Sequence, residues 1–362
     1  MRVFVTGASG WIGSAVVPEL IRHGHSVVGL ARSDAAAERV AAAGAEVLRG
    51  DLDTLDVIRE GATGTDATIH LAFVHDFGNF AESLRKDRAA IDVIGQALEG
   101  SGRAFAIASG TLGILPPGQV ATERDRPEPG AGHPRQQSAA AALAFAERDV
   151  RPIVVRLAPS VHGTGDYGFV PTLVNVARER KLAGYVGDGS NRWTAVHRDD
   201  AATLFRLAIE KAPTIGAATP DGAAPGGTAP GGTAPGGTAP GGTAPGGTAT
   251  GGNPAGGAAT AARAAAGTAA ATPGETVAAG KTAGLVLHAV AEEAVTGRAI
   301  AEAIGRGLGV PTGPAAPEDF GWIGPMFAMD NPASSTITRE LLGWSPAGPA
   351  LIDDLESGHY FN

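Results

Sequence analysis

Thr6-Gly7-Ala8-Ser9-Gly10-Trp11-Ile12-Gly13 decides how this chain is read. It follows a short β-branched and aromatic run, Arg2–Thr6, and leads into residues 11–23, whose apolar positions fall at helical spacing. Strand, glycine turn and helix together are the context that a dinucleotide fingerprint requires. Gly7 permits the tight turn, Gly10 lets the backbone approach a pyrophosphate, and Gly13 lets helix and strand pack closely. The helix N-terminus adds N–H groups and the positive end of a dipole. Ser9, Trp11 and Ile12 share the turn and join the three glycines as expected cofactor contacts. A tight βα turn using glycine for geometry alone is the plainer alternative.

Beyond the turn, strand and helix patterns alternate. Strands are expected at Ser26–Ala31, Glu46–Arg49, 67–73, 104–109 and 152–157, and helices at 34–43, 54–60, Phe80–Leu98 and 136–148. This βαβα order implies an α/β fold: a doubly wound, parallel Rossmann sheet with helices on both faces. After Leu157 the pattern loosens, with helices at 170–180, 199–211 and 296–307 and a strand at Leu285–Ala289. Residues 217–283 differ in composition: Ala-Pro-Gly-Gly-Thr repeats five times from 224 to 248, and Val277 is the one large aliphatic side chain. Such a stretch cannot bury enough apolar surface to offset its ordering entropy, so it reads as a disordered low-complexity insert. The expected division is a Rossmann domain over 1–160, a small C-terminal substrate lobe over 161–216 and 284–362, and the insert between. The strand near 285 is expected to resume the lobe after residue 211.

Composition narrows the function. The chain has 362 residues, with 28 Lys and Arg against 37 Asp and Glu, a net charge of −9. That balance argues against a general nucleic-acid binder. Cysteine is absent, which removes disulfides and thiolate chemistry. No apolar run is long enough to span a bilayer. Met1 leads straight into a strand without a charged and apolar leader, so a cytoplasmic protein is expected. The partners expected are a small-molecule substrate, no nucleic acid and no membrane, with a monomer or homodimer as the working unit. His23-Gly24-His25 lacks further ligands at metal spacing, so no metal site is expected.

The end of the second strand bears on the cofactor. It reads Gly29-Leu30-Ala31-Arg32-Ser33, with Arg32 where an acid would repel a 2′-phosphate. NADP is therefore favoured, and NAD stays possible because Asp34 could accept from a ribose hydroxyl. Asp51, followed by Leu52, stands where a carboxylate could meet the adenine amino group or cap the next helix. Leu71, Ala72 and Phe73 end the fourth strand beside the crevice, and His70 reads as a packed strand histidine.

The glycine motif, Gly50-Asp51-Leu52, His70-Leu71-Ala72, Val155-Arg156-Leu157-Ala158-Pro159-Ser160-Val161-His162-Gly163 and Arg192-Trp193-Thr194-Ala195-Val196-His197-Arg198-Asp199-Asp200 resemble the short-chain dehydrogenase/reductase superfamily, in its extended and atypical, NAD-dependent epimerase/dehydratase-like branches. The resemblance implies a seven-stranded Rossmann sheet with a small substrate lobe. It also implies a Tyr-x-x-x-Lys pair on the helix after the fifth strand, and here the chain departs from the pattern. Its three tyrosines are Tyr167, Tyr185 and Tyr360, and the corresponding region reads Gly132-His133-Pro134-Arg135-Gln136-Gln137-Ser138. Ser109 and Thr111 resemble the superfamily's Ser/Thr position and could donate to a carbonyl, or merely cap a turn. His133 could supply the proton, and Arg135 could replace the lysine as a fixed cation. By the same resemblance Ser160 and Val161 lie against the nicotinamide, and Asp166, Tyr167 and Phe169 line the pocket. Trp322, Met326, Phe327 and Met329 form an apolar cluster that could cover a hydrophobic substrate, but reads first as a core patch or subunit contact.

The expected function is an NAD(P)-dependent oxidoreductase moving a hydride between NADP(H) and a small aldehyde, ketone or alcohol. The alternatives are a non-catalytic dinucleotide sensor and, third, a nucleotide-sugar epimerase or dehydratase.

Overall fold

The glycine turn leaves β1 (Arg2–Thr6) and enters α1 (Gly13–Arg22) in the middle of the molecule's main sheet. The structure is a computed structural model; it describes residues 1–74, 79–126, 135–218 and 284–362, all within one packed unit. His133 and the insert from residue 219 to residue 283 lie outside the described residues. The alternation continues through β2 (Ser26–Ala31), α2 (Asp34–Ala42), β3 (Glu46–Arg49), α3 (Leu55–Thr63), β4 (Ala67–His70), α4 (Phe80–Leu98), β5 (Ala104–Gly110), α5 (Arg135–Ala144) and β6 (Arg151–Leu157). Next come β7 (Ser160–His162), α6 (Phe169–Arg180), β8 (Ala183–Val186), β9 (Arg192–His197) and α7 (Arg198–Ala218). Beyond the insert are β10 (Leu285–Ala289), β11 (Glu292–Thr296), α8 (Gly297–Leu308), β12 (Thr312–Ala315), α9 (Gly324–Phe327), α10 (Thr336–Leu342) and α11 (Leu351–Glu356).

Among the described residues, seven strands form one sheet in the order β10-β6-β5-β4-β1-β2-β3, and every neighbouring pair is parallel. This is the expected Rossmann arrangement. Alternate strand residues feed two apolar layers. Val3, Val5, Ala106 and Val155 pack with Val16 and Leu20 of α1 and Phe205 of α7, while Phe4, Ile107 and Val154 pack with Ile58 of α3 and Ile94 of α4. The strand order reverses between β1 and β4, and ligands of such sheets sit in the crevice beyond the strand ends at that switch point.

Two expectations need correction. Leu285–Ala289 does not resume the small lobe: it is the edge strand of the main sheet, paired with β6 from Leu285↔Ile153 to Ala289↔Leu157. Its run of buried aliphatics suits a strand covered on both faces. Nor does the fourth strand reach residue 73. It stops at His70: the Leu71 N–H is shared between the Thr6 carbonyl and hydroxyl oxygens, and the Ala72 N–H turns to that hydroxyl. The small lobe has a three-stranded sheet, β11-β9-β7, and a two-stranded one, β12-β8. Its core joins Val170 and Leu173 of α6, Ile300 and Ile304 of α8, Phe320 and Phe327. No described helix is long and apolar enough to cross a membrane.

Candidate cofactor and active site

Thr6, fully buried at the end of β1, ties the turn to β4. Its Oγ1 accepts the N–H groups of Leu71 and Ala72, both at 3.2 Å, and lies 2.8 Å from His70 Nδ1. A hydroxyl that accepts twice gives its hydrogen to Nδ1, which leaves His70 Nε2–H to donate to Asp87 Oδ1 at 3.3 Å. Gly7 has φ +67°, and a Cβ there would stand 2.7 Å from Ala72 N. A Cβ on Gly13 would stand 2.1 Å from the Gly7 carbonyl oxygen. On Gly10 it would meet only that same oxygen, at 3.1 Å. Gly7 and Gly13 therefore serve packing, whereas at Gly10 a Cβ would have that single neighbour. No acidic residue stands in the first turn of α1, so nothing there offsets its positive end.

Trp11 brackets the turn to the small lobe. Its backbone N–H donates to the Tyr167 hydroxyl at 3.2 Å and its indole N–H to the Val161 carbonyl at 2.7 Å. The Arg198 guanidinium lies 4.3 Å over the indole ring. Ser160, beside Val161, has its hydroxyl engaged by Trp193 Nε1–H at 2.8 Å.

At the β2 end of the crevice, Arg32 is exposed just past the strand. The Asp34 carboxylate is paired with Arg49, which also donates to the Ser33 carbonyl at 2.7 Å. Arg49 was not singled out by the sequence. Only strand register reveals it, since Ala31 and Arg49 are partners in the β2–β3 ladder. Asp51 spends Oδ1 on the N–H groups of Asp53 and Thr54, at 3.0 and 3.1 Å, in the turn before α3. Leu52 is buried in the core layer below.

At the other end of the crevice, Arg135 opens α5. Its guanidinium donates to the Ala108 carbonyl at 3.0 Å and stacks 4.1 Å over the Phe73 ring. Burial lowers the Arg135 pKa, with Asp87 opposing. Burial also works against ionisation of Asp87, but the His70 hydrogen bond and the Arg135 charge outweigh it and hold this carboxyl below its ordinary range. Ser109 Oγ is buried and has no hydrogen-bond partner among the described residues. Thr111 is fully buried as well, but its Oγ1 lies 3.4 Å from both Thr194 Oγ1 and Asn331 Nδ2. Ser109, Thr111 and Arg135 thus gather at the end of β5, while Arg32 and Asp51 belong to the opposite end of the crevice.

The C-terminal segment holds the loop after β7, a link the sequence did not suggest. His162 Nδ1 lies 2.8 Å from Asp354 Oδ2, and the Tyr360 hydroxyl accepts the Gly163 N–H at 3.1 Å. Asp166 sits 3.3 Å from the same hydroxyl, and burial raises its pKa. Among the described residues no three His, Asp or Glu side chains gather as a metal site would require.

Glycine turn, switch point and strand-end hydroxyls define a dinucleotide-binding enzyme fold. The family model of the NAD dependent epimerase/dehydratase family matches residues 3–218, and the chain belongs to that family. It is 36% identical over 366 residues to an uncharacterized protein of Schizosaccharomyces pombe, covering 100% of both chains. It is 27% identical over 220 residues, 59% of this chain and 66% of the relative, to a 4-hydroxy-2-methyl-3-oxo-4-farnesyl-3,4-dihydroquinoline-1-oxide ketoreductase of Stigmatella aurantiaca. Among solved structures it resembles the UDP-glucose 4-epimerase of Thermotoga maritima in complex with UDP-glucose. The TM-score is 0.64 at 17% identity, over 100% of this chain and 98% of the epimerase.

Proposed function

We propose that the chain is an NADP(H)-preferring reductase of aldehydes or ketones. One observation carries the reaction: the buried, unpartnered Ser109 hydroxyl at the end of β5, one residue beyond the carbonyl that anchors the Arg135 guanidinium. A buried hydroxyl left without a partner costs about 1–3 kcal/mol, so it is best explained by a ligand that completes it. When bound, the dinucleotide supplies the hydride that converts the carbonyl, with a proton, to an alcohol. The chain's residues do the rest. The N-terminus of α1 and the open side of Gly10 hold the pyrophosphate, and Arg32 and Arg49 face the 2′-phosphate. Ser109 donates to the carbonyl oxygen. Arg135 offsets the negative charge that grows there, and the proton comes from solvent or His133. Thr111, already engaged with Thr194 and Asn331, shapes the strand end. The ketoreductase relative supports reduction. Epimerisation or dehydration of a nucleotide sugar is disfavoured because no tyrosine stands on or before α5.

Titration with NADPH and NADH, followed by nicotinamide fluorescence, tests the cofactor. NADPH should bind more tightly, and Arg32→Ala or Arg49→Ala should weaken it about tenfold while sparing NADH. Ser109→Ala should lower carbonyl turnover about a hundredfold with NADPH affinity unchanged. Binding of neither dinucleotide would leave the Rossmann fold as a scaffold and overturn the proposal.

A further inference from the structure

Large apolar side chains left in water in one neighbourhood mark a binding surface. Among the described residues, the exposed large hydrophobics are Met1, Val120, Tyr167, Trp322 and Met329. Tyr167 is held to the glycine turn by its hydroxyl, and its ring meets Trp11 edge-on at 5.9 Å. Two residues further on, the Phe169 ring lies 5.6 Å from Trp322. On the other side, Arg192 reaches the Gly118 carbonyl at 3.1 Å and Asp330 at 2.7 Å, which sets Val120 and Met329 on the segments flanking that contact. Asn331, next in the chain, reaches Thr111 at the end of β5. Tyr167 thus adjoins the glycine turn, and Val120 and Met329 flank the segment whose Asn331 reaches Thr111. The structure divides the patch that the sequence suggested as core or subunit contact: Phe327 is core, whereas Trp322 and Met329 are on the rim.

The Arg192 charge on this rim is already balanced. Arg192 uses Nε and Nη2 on both oxygens of Asp330. Arg198 lies flat on Trp11 beside Asp199. Arg192 is therefore not left for a diphosphate, whose two charges would need to be met there. Exposed aromatic rings at Tyr167 and Trp322, meeting their neighbours edge-on or tilted, instead suit a flat or branched apolar body.

We infer that the substrate is a neutral carbonyl compound with an apolar, preferably aromatic, body that packs on Tyr167, Phe169 and Trp322, and not a nucleotide-diphosphate sugar. This rests on the carbonyl-reductase proposal above. The test is NADPH oxidation with 3-phenylpropanal, with glycolaldehyde and with UDP-glucose as an inhibitor, for the wild type and Trp322→Ala, each with a melting curve. Trp322 is half exposed, so the variant should fold. The phenyl aldehyde should be preferred at least about tenfold in kcat/KM, and Trp322→Ala should erase most of that preference, lowering kcat/KM for the phenyl aldehyde far more than for glycolaldehyde. Equal rates for the two aldehydes, a preference untouched in Trp322→Ala and in Phe169→Ala, or competitive inhibition by UDP-glucose below millimolar concentration would overturn the inference. If NADPH binds but no carbonyl is reduced, the reductase proposal fails by itself. Binding of 3-phenylpropanol to the NADP-loaded protein then decides the rim: binding lost in Trp322→Ala upholds it, and no binding sinks it.

Discussion

Gly10 and Gly13 stand three residues apart and do different work. At Gly13 an added methyl group would press on a backbone oxygen 2.1 Å away, in a turn already pinned to β4 by Thr6. At Gly10 the methyl group would project into the space assigned to the pyrophosphate, with a single neighbour at 3.1 Å. Gly13→Ala should therefore destabilise the fold by about 3 kcal/mol, read from a urea melt. Gly10→Ala should melt close to the wild type and lose at least about tenfold in NADPH affinity. If the two variants behaved alike, the division of roles would be wrong. All three glycines were legible in the sequence, because their spacing between a strand and a helix has few other uses. Their separate roles were legible too; the steric reason at Gly7 was not, since it depends on the return of β4 beside the turn.

At the scale of elements, the C-terminal segment governs the loop after β7. Asp354 of α11 and Tyr360 reach back to His162 and Gly163, and that loop in turn carries the Val161 carbonyl and Tyr167 hydroxyl that hold Trp11. Tyr360→Phe leaves the buried Gly163 N–H without its acceptor, at a cost of about 1–2 kcal/mol. The effect should travel along the loop: NADPH should bind several-fold more weakly, whereas 2′,5′-ADP, which occupies only the adenosine end, should bind as before. Calorimetric titration of both ligands checks this, and parallel losses would mean a general loss of stability rather than loop positioning. Nothing in the sequence linked Tyr360 to Gly163. The two are 197 residues apart, and no periodicity or motif records such a contact.

Across the whole molecule, the burial that builds the sheet also sets its response to acid. Ser109, Arg156 and His288 share one row of the β5–β6–β10 ladder. His288 is fully buried, and burial, with Arg156 beside it, pushes its pKa from 6.5 down to about 4. The unfolded chain takes up this proton near pH 6.5 and the folded chain only near pH 4, so stability is complete above that window and falls as pH drops through it. Urea midpoints at about pH 7 and about pH 5 should differ by about 2 kcal/mol for this group, and His288→Gln should remove that part of the difference. An unchanged pH dependence in the variant would show that His288 is not the group that titrates. Asp87 and Asp354, held below their ordinary range, add a further loss at lower pH.

By itself the sequence determined the Rossmann class, the strand–turn–helix at residue 6 and the strand-end hydroxyls, because local hydrophobic period and glycine spacing specify those features within a short stretch. It also exposed the absence of a tyrosine before α5. Only the tertiary structure decided that Leu285–Ala289 closes the main sheet, that Arg49 pairs with Ala31 in the ladder, that Asp34 is already paired and that Trp322 is half exposed beside Phe169. Each of these depends on strand register or on contacts between distant segments, and a pairing energy shared across such distances leaves no periodic trace in the residues that make it.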